Sequence, residues 1–187
     1  MNFFARRLGI VALALAACCG GCASKNGNPQ VAPPGEAFNL IVLADPEFFK
    51  KRTKVELDLV PAYTESEKNV FTDRSVHDYF RNITGNEVRK NQKTKKTIIL
   101  TTANPREEIT RKDPIWKGQW SRGKRIASYL IVVADITGDF PEGAAPNDAR
   151  RFVIALDNKE WRARKNTLTI QIQTDGVKVL PGSPDGK

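Results

Sequence analysis

All three cysteines of this 187-residue chain, Cys18, Cys19 and Cys22, are grouped near its start. Thiols placed this way could form a disulfide, hold a metal, exchange electrons as a Cys-x-x-Cys pair, or carry a lipid. A metal site fails on ligand count, because His77 is the one histidine and no other cysteine exists. Cys19-Gly20-Gly21-Cys22 has redox spacing, but its surroundings predict neither a strand–helix context nor a lowered thiol pKa. Other chemistry is thinly supplied. Asp78 cannot orient its neighbour His77, since adjacent residues on a helix diverge. No serine stands in a nucleophile-elbow pattern and no glycine-rich loop could cradle a phosphate. Glu107 and Glu108 are adjacent, a pattern that reads as solvated surface. The expectation is a chain that is not an enzyme and needs no cofactor.

The residues before Cys18 decide among its uses. "MNFFARR" ends in two arginines and holds no acid, and "LGIVALALAA" follows as an apolar run of ten. A bilayer span needs about 20 apolar residues. A basic head, a short apolar core and small residues before a break make an export signal. Leu15-Ala16-Ala17-Cys18 resembles the lipobox of bacterial lipoproteins. That resemblance implies a diacylglycerol on the Cys18 thiol, cleavage before it and acylation of the new amine, a two-signal anchor of the kind that holds firmly. Two alternatives stay open. Ala14-Leu15-Ala16 could serve an ordinary signal peptidase, and Cys22 could carry the lipid, although Cys19 three residues before it makes a poor lipobox. With Cys18 as anchor, Cys19 and Cys22 could form a small disulfide in an oxidising periplasm. The residue after Cys18 is not aspartate, which among such lipoproteins favours the outer membrane.

Residues 1–17 thus read as a signal peptide and 18–36 as a lipidated tether, the stretch "SKNGNPQVAPPGE" being rich in Pro, Gly, Asn and Ser. Residues 37–180 fit one domain, and "PGSPDGK" (181–187) reads as a disordered tail. The formal net charge is +9 and the pI about 9.6. A basic chain usually points to nucleic acid, but export removes that partner. Lipid A phosphates, anionic lipids, peptidoglycan carboxylates and acidic protein surfaces remain. The bases gather in 88–96, 116–125 and 160–165, where lysines beside strands also blunt sheet edges.

The elements around these residues have period two. "KVELDLVPA" (54–62) puts Val55, Leu57 and Leu59 on one face and Lys54, Glu56 and Asp58 on the other, and "NTLTIQIQ" (166–173) alternates likewise. Both predict strands with one wet face. "TKKTIILTT" (94–102) and "RRFVIALD" (150–157) are further β-rich runs. "FNLIVLAD" (38–45) and "SYLIVVADI" (128–136) are apolar on both parities, as central strands covered on both sides are. Asp175-Gly176 signals a hairpin. Two short helices are expected, over 75–80 with Ser75 as cap and over 113–123 with Asp113 as cap and Pro114 first. The second carries Trp116 and Trp120, which suit a buried stripe better than a platform for sugar rings. About seven strands with turn signals predict an antiparallel β-sandwich with one or two short helices.

The order of the pieces is similar to that of the type VI secretion outer-membrane lipoproteins, the TssJ family. A lipobox and tether are followed by "VELDLV", "SVHDYF", "YLIVVADI", "RRFVIAL" and "LTIQIQTDGVKVL". The chain departs from the family in lacking an asparagine-rich segment after the first strand and in inserting 104–125. The resemblance implies a transthyretin-like sandwich, a lipid at Cys18 and an adaptor role, tethering the periplasmic domain of an inner-membrane protein (TssM) to the outer membrane. It implies a partner contact in a loop between early strands. By position that loop is 62–75, with Tyr63, Glu65, Ser66, Glu67, Lys68 and Arg74 as candidates. The alternative is an envelope lipoprotein that binds peptidoglycan, lipopolysaccharide or another envelope protein through a basic or aromatic surface.

Overall fold

The computed structural model describes residues 34–81, 83–138, 140, 147–157 and 166–182. Cys18, the tether up to 33, Trp161 and the tail beyond 182 lie outside the described residues.

Two four-stranded sheets face each other. In the first, the order is β10 (Gly176–Pro181), β9 (Thr167–Gln173), β1 (Asn39–Ala44) and β4 (Arg106–Ile109). In the second it is β3 (Lys96–Thr101), β2 (Lys54–Ala62), β7 (Tyr129–Ala134) and β8 (Arg151–Ala155). A small ribbon joins β5 (Ser121–Arg122) to β6 (Arg125–Ile126). The sandwich is the one that the alternating patterns predict. The two runs that are apolar on both parities, β1 and β7, are central strands. One pairing departs from the antiparallel expectation: β1 runs parallel to β9, with Asn39 opposite Thr167 and Ala44 opposite Ile172.

The main core lies between the sheets. Leu40 and Val42 of β1, Val55, Leu57 and Leu59 of β2, Leu130 and Val132 of β7, and Leu168, Ile170 and Ile172 of β9 all point into it. Trp116 and Trp120 belong to this core, at 1% and 0% exposure. Their rings meet edge to face, 4.8 Å between centroids. Each indole N–H donates to a backbone carbonyl at 3.1 Å, Thr110 for Trp116 and Thr94 for Trp120. This removes the aromatic platform from the glycan-binding alternative. Of the expected 113–123 helix, only a 3₁₀ turn over Pro114–Trp116 forms, with Asp113 as cap.

The larger departure is a third layer. Helices α2 (Glu65–Thr72), α3 (Val76–Arg81) and α4 (Ile83–Asn91) follow β2 and cover the outer face of the second sheet. A further helix, α1 (Pro46–Lys51), joins β1 to β2, capped by the Asp45 carboxylate, which accepts from the Glu47 N–H at 2.9 Å. Under the layer, Val60, Ala62, Ile131 and Val133 of the sheet meet Phe71, Val76, Tyr79 and Phe80 of the helices, a second apolar cluster. That is why β7 is apolar on both parities: one face looks into each cluster.

Two glycines allow close approaches. A Cβ on Gly35 would sit 1.9 Å from the Ala127 carbonyl oxygen, so glycine lets the incoming chain lie against the sandwich. Gly176 closes the β9–β10 turn with φ of 146°, and a Cβ there would come within 2.4 Å of the Ala149 carbonyl oxygen.

Candidate functional site

The face of β2 that alternation predicts to be wet is largely covered. Asp58 is 0% exposed. Its carboxylate accepts from the Tyr79 hydroxyl at 2.9 Å, from Arg89 Nε at 2.6 Å and from Thr97 Oγ1 at 2.6 Å. Arg89 also pairs with Glu56 and lies over the Phe80 ring, 4.6 Å from its centroid. A buried charge is tolerable only when paired and hydrogen-bonded, and α3 and α4 supply those partners. Burial pushes the Tyr79 hydroxyl well above the ordinary tyrosine pKa, with the Asp58 charge and hydrogen bond adding to it. Burial opposes the Arg89 charge, but hydrogen bonds to Asp58 and Glu56 outweigh it and hold Arg89 more firmly protonated.

A second polar cluster ties α2 and α3 to β8. Arg151, 7% exposed, donates through Nη1 to the carbonyls of Phe71 at 2.8 Å and Arg74 at 2.7 Å, satisfying orphan carbonyls at and just beyond the end of α2. Asp148, 4% exposed, accepts from Arg150 Nε at 2.9 Å and Nη2 at 2.7 Å. Burial alone would raise the Asp148 pKa, but the Arg150 hydrogen bonds prevail and hold it below the usual carboxylate range. A depressed folded pKa contributes stability that is present above the unfolded value, about 3.9, and is lost as pH falls through the folded value. Asp148→Asn is therefore expected to cost about 1.5–3 kcal/mol at pH 7. In thermal melts, its deficit against the parent should narrow by pH 3.

The segment expected as a partner loop, 62–75, is mostly the helix α2. Thr64 caps it, its hydroxyl accepting from the Glu67 N–H at 3.1 Å, and the Glu67 carboxylate accepts from the Tyr63 N–H at 2.7 Å. This is close to a capping box. The segment is a packed helix and not a loop because Phe71, with Val76 just beyond, is buried against the sheet.

The candidate residues fall into two groups. Tyr63 is 4% exposed, with Arg122 over its ring at 4.1 Å from the centroid. Its buried hydroxyl has no hydrogen-bond partner among the described residues, and burial raises its pKa against the pull of Arg122. Tyr63 belongs to the core between the sheets and does not line the groove between α2 and α4. Arg74 is half-buried and gives its carbonyl to Arg151. Glu65, Ser66, Glu67 and Lys68 lie on the exposed or half-exposed side of α2. Glu65 pairs with Lys68 and accepts from the Tyr129 hydroxyl, bonds that hold its carboxyl below the usual range. Tyr129 is pushed up to about 12 by burial and then by Glu65. Glu67 also pairs with Arg122 at 2.5 Å.

Of the six candidates, Glu67 alone lines the groove of about 420 Å³ between α2 and α4. Pro61, Val70, Phe71 and Val88 give it an apolar lining, and Glu67, Glu87 and Arg122 supply charge. Pro61 is a buried residue at the floor of the groove, beyond Leu59, where the β3 pairing with β2 stops. Val70 is 44% exposed. Sequence reasoning missed Val88 and Arg122 as neighbours of α2, for they come from α4 and the ribbon. Among the described residues, no three His, Cys, Asp or Glu side chains gather as a metal site.

Fold and groove together define a two-sheet β-sandwich with a helical layer on one face and an apolar groove in that layer. No protein-family model matches the chain, and neither does any curated protein. Among solved structures it is similar to Serratia marcescens Lip, a membrane-bound component of the type VI secretion system. That match has 14% identity, covers 79% of this chain and 98% of that one, and has a TM-score of 0.48. It is also similar to the type VI secretion lipoprotein TssJ1 from Pseudomonas aeruginosa, with 12% identity, 79% and 96% coverage, and a TM-score of 0.45.

Proposed function

We propose that this protein is a lipid-anchored adaptor of a type VI secretion-like envelope complex. Cys18 carries the lipid and holds the chain to the outer membrane, and the sandwich faces the periplasm. The groove between α2 and α4 takes the periplasmic domain of a TssM-like inner-membrane protein. The observation that carries the binding surface is Val70, an exposed apolar side chain beside a groove with apolar walls and charged residues at its edge. Protein interfaces have this anatomy, an apolar centre within a polar rim. The lipobox and the order of motifs in the sequence support the anchor and the partner class.

Two measurements test the reading. In cell fractionation, Cys18→Ala is expected to move the protein from the membrane to the soluble fraction, and mass spectrometry of the parent should find an acylated Cys18. Unmodified protein starting beyond Ala23 would refute the anchor. For binding, Val70→Asp should weaken capture of the TssM-like periplasmic domain by about tenfold or more, as loss of a central apolar contact does. The pair Lys95→Glu with Lys96→Glu should leave capture unchanged. Loss only with the lysine pair would move the contact to the β3 side of the sandwich. Secretion sheath and baseplate genes beside this one would favour the adaptor over the broader envelope-binding reading.

A further inference from the structure

Gly35 N–H donates to the Ile126 carbonyl and Glu36 N–H to the Leu156 carbonyl, so the chain joins the sandwich beside the ends of β6 and β8. From there β1 crosses the sandwich to α1. At this far end, α1, the start of β2 and the end of α3 enclose a cleft of about 660 Å³. Its cations are Lys50, Lys51, Arg52, Lys54 and Arg81. Lys50 pairs with Glu47 at 2.5 Å and Arg81 with Asp135 at 3.1 Å. Glu56, the other acid in the lining, is turned to Arg89. Among the described residues, Arg52 donates to the neutral Thr137 carbonyl alone and lies near the Phe48 ring. Lys51 and Lys54 are exposed and have no partner among the described residues. Among the described residues, three cations without a carboxylate partner therefore share one concave surface, where their fields add. Thr53, Thr102 and Thr137 also line it.

We propose that this cleft binds a phosphate group, carried by an anionic phospholipid headgroup or free in solution. Several cations with hydroxyl donors around a concave surface suit a tetrahedral phosphate, whose non-bridging oxygens accept from several directions, better than a planar carboxylate. The concave shape admits a headgroup-sized ligand. The site stands on the cleft alone, and failure of the adaptor reading would leave it untouched.

The test uses the full chain in neutral detergent micelles. Hydrogen–deuterium exchange of the 46–56 amides is followed against short-chain phosphatidylglycerol, short-chain phosphatidylcholine and inorganic phosphate. Phosphatidylglycerol or phosphate should slow exchange there and phosphatidylcholine should not. Slowing by phosphatidylglycerol assigns a lipid source, and slowing by phosphate alone assigns a free one. Lys51→Glu with Lys54→Glu should raise Kd by about tenfold or more, with thermal melts confirming that the exposed substitutions leave the fold intact. Lys117→Glu with Lys124→Glu makes the same charge change elsewhere and should stay within about twofold. No protection by either phosphate ligand, equal protection by phosphatidylcholine, or equal weakening by both pairs would overturn the proposal.

Discussion

Asp58→Ala is expected to destabilise the domain by about 3–5 kcal/mol, the range for removing one partner of a buried ion pair. The carboxylate is inaccessible and serves three donors from three elements: Tyr79 of α3, Arg89 of α4 and Thr97 of β3. Its loss strands the Tyr79 hydroxyl, 3% exposed at the residue level, and leaves the Arg89 guanidinium with Glu56 alone. Unfolding in urea should show the lower midpoint. Amides of α3 and α4 should lose exchange protection more than those of β1 or β9, because the pair clamps the helical layer and not the sheets. Asp58→Leu combined with Arg89→Met should recover part of the loss, since an apolar pair leaves no charge behind. Equal stability of Asp58→Ala and parent would mean that the network does not hold the layer.

Trp120→Ala should cost about 3–5 kcal/mol, as large-to-small aromatic changes in cores do. The side chain is 0% exposed, its ring meets Trp116 edge to face, and its N–H holds the Thr94 carbonyl ahead of β3. Truncation opens a cavity and frees the segment that leads into β3. Trp120→Phe keeps part of the volume but loses the hydrogen bond, so it should fall between. A Trp120→Ala melt within about 1 kcal/mol of the parent would contradict the core assignment. Reduced glycan capture without loss of stability would restore the sugar-stacking role.

The sandwich was legible because its strands carry strong local patterns. Val55, Leu57 and Leu59 alternate, and β1 and β7, both central, are apolar on both parities. The helical layer was less visible. Within α2 only Val70 and Phe71 are large apolar residues, so no helical stripe stands out. The usable signal was Thr64 followed by Glu67, the beginning of a cap. Asp58 looked solvated because its partners lie 21, 31 and 39 residues away. No local window contains them. The basic cleft was hidden for a similar reason. Along the chain, Glu47 and Glu56 offset half of the four cations from Lys50 to Lys54, but in the fold Glu56 turns to Arg89. The candidate groove was half legible, as a segment and not as a surface, since Val88 and Arg122 reach it only through the fold.

The adaptor account is tested most directly by a photo-crosslinking amino acid at Val70 of the full-length protein, in cells that carry type VI secretion genes. Illumination should join the chain to the periplasmic domain of a TssM-like inner-membrane protein, and Cys18→Ala in the same chain should abolish the product. The contrary result is no protein adduct at Val70 while the same probe at Lys95 captures that protein, which would place the contact away from the groove.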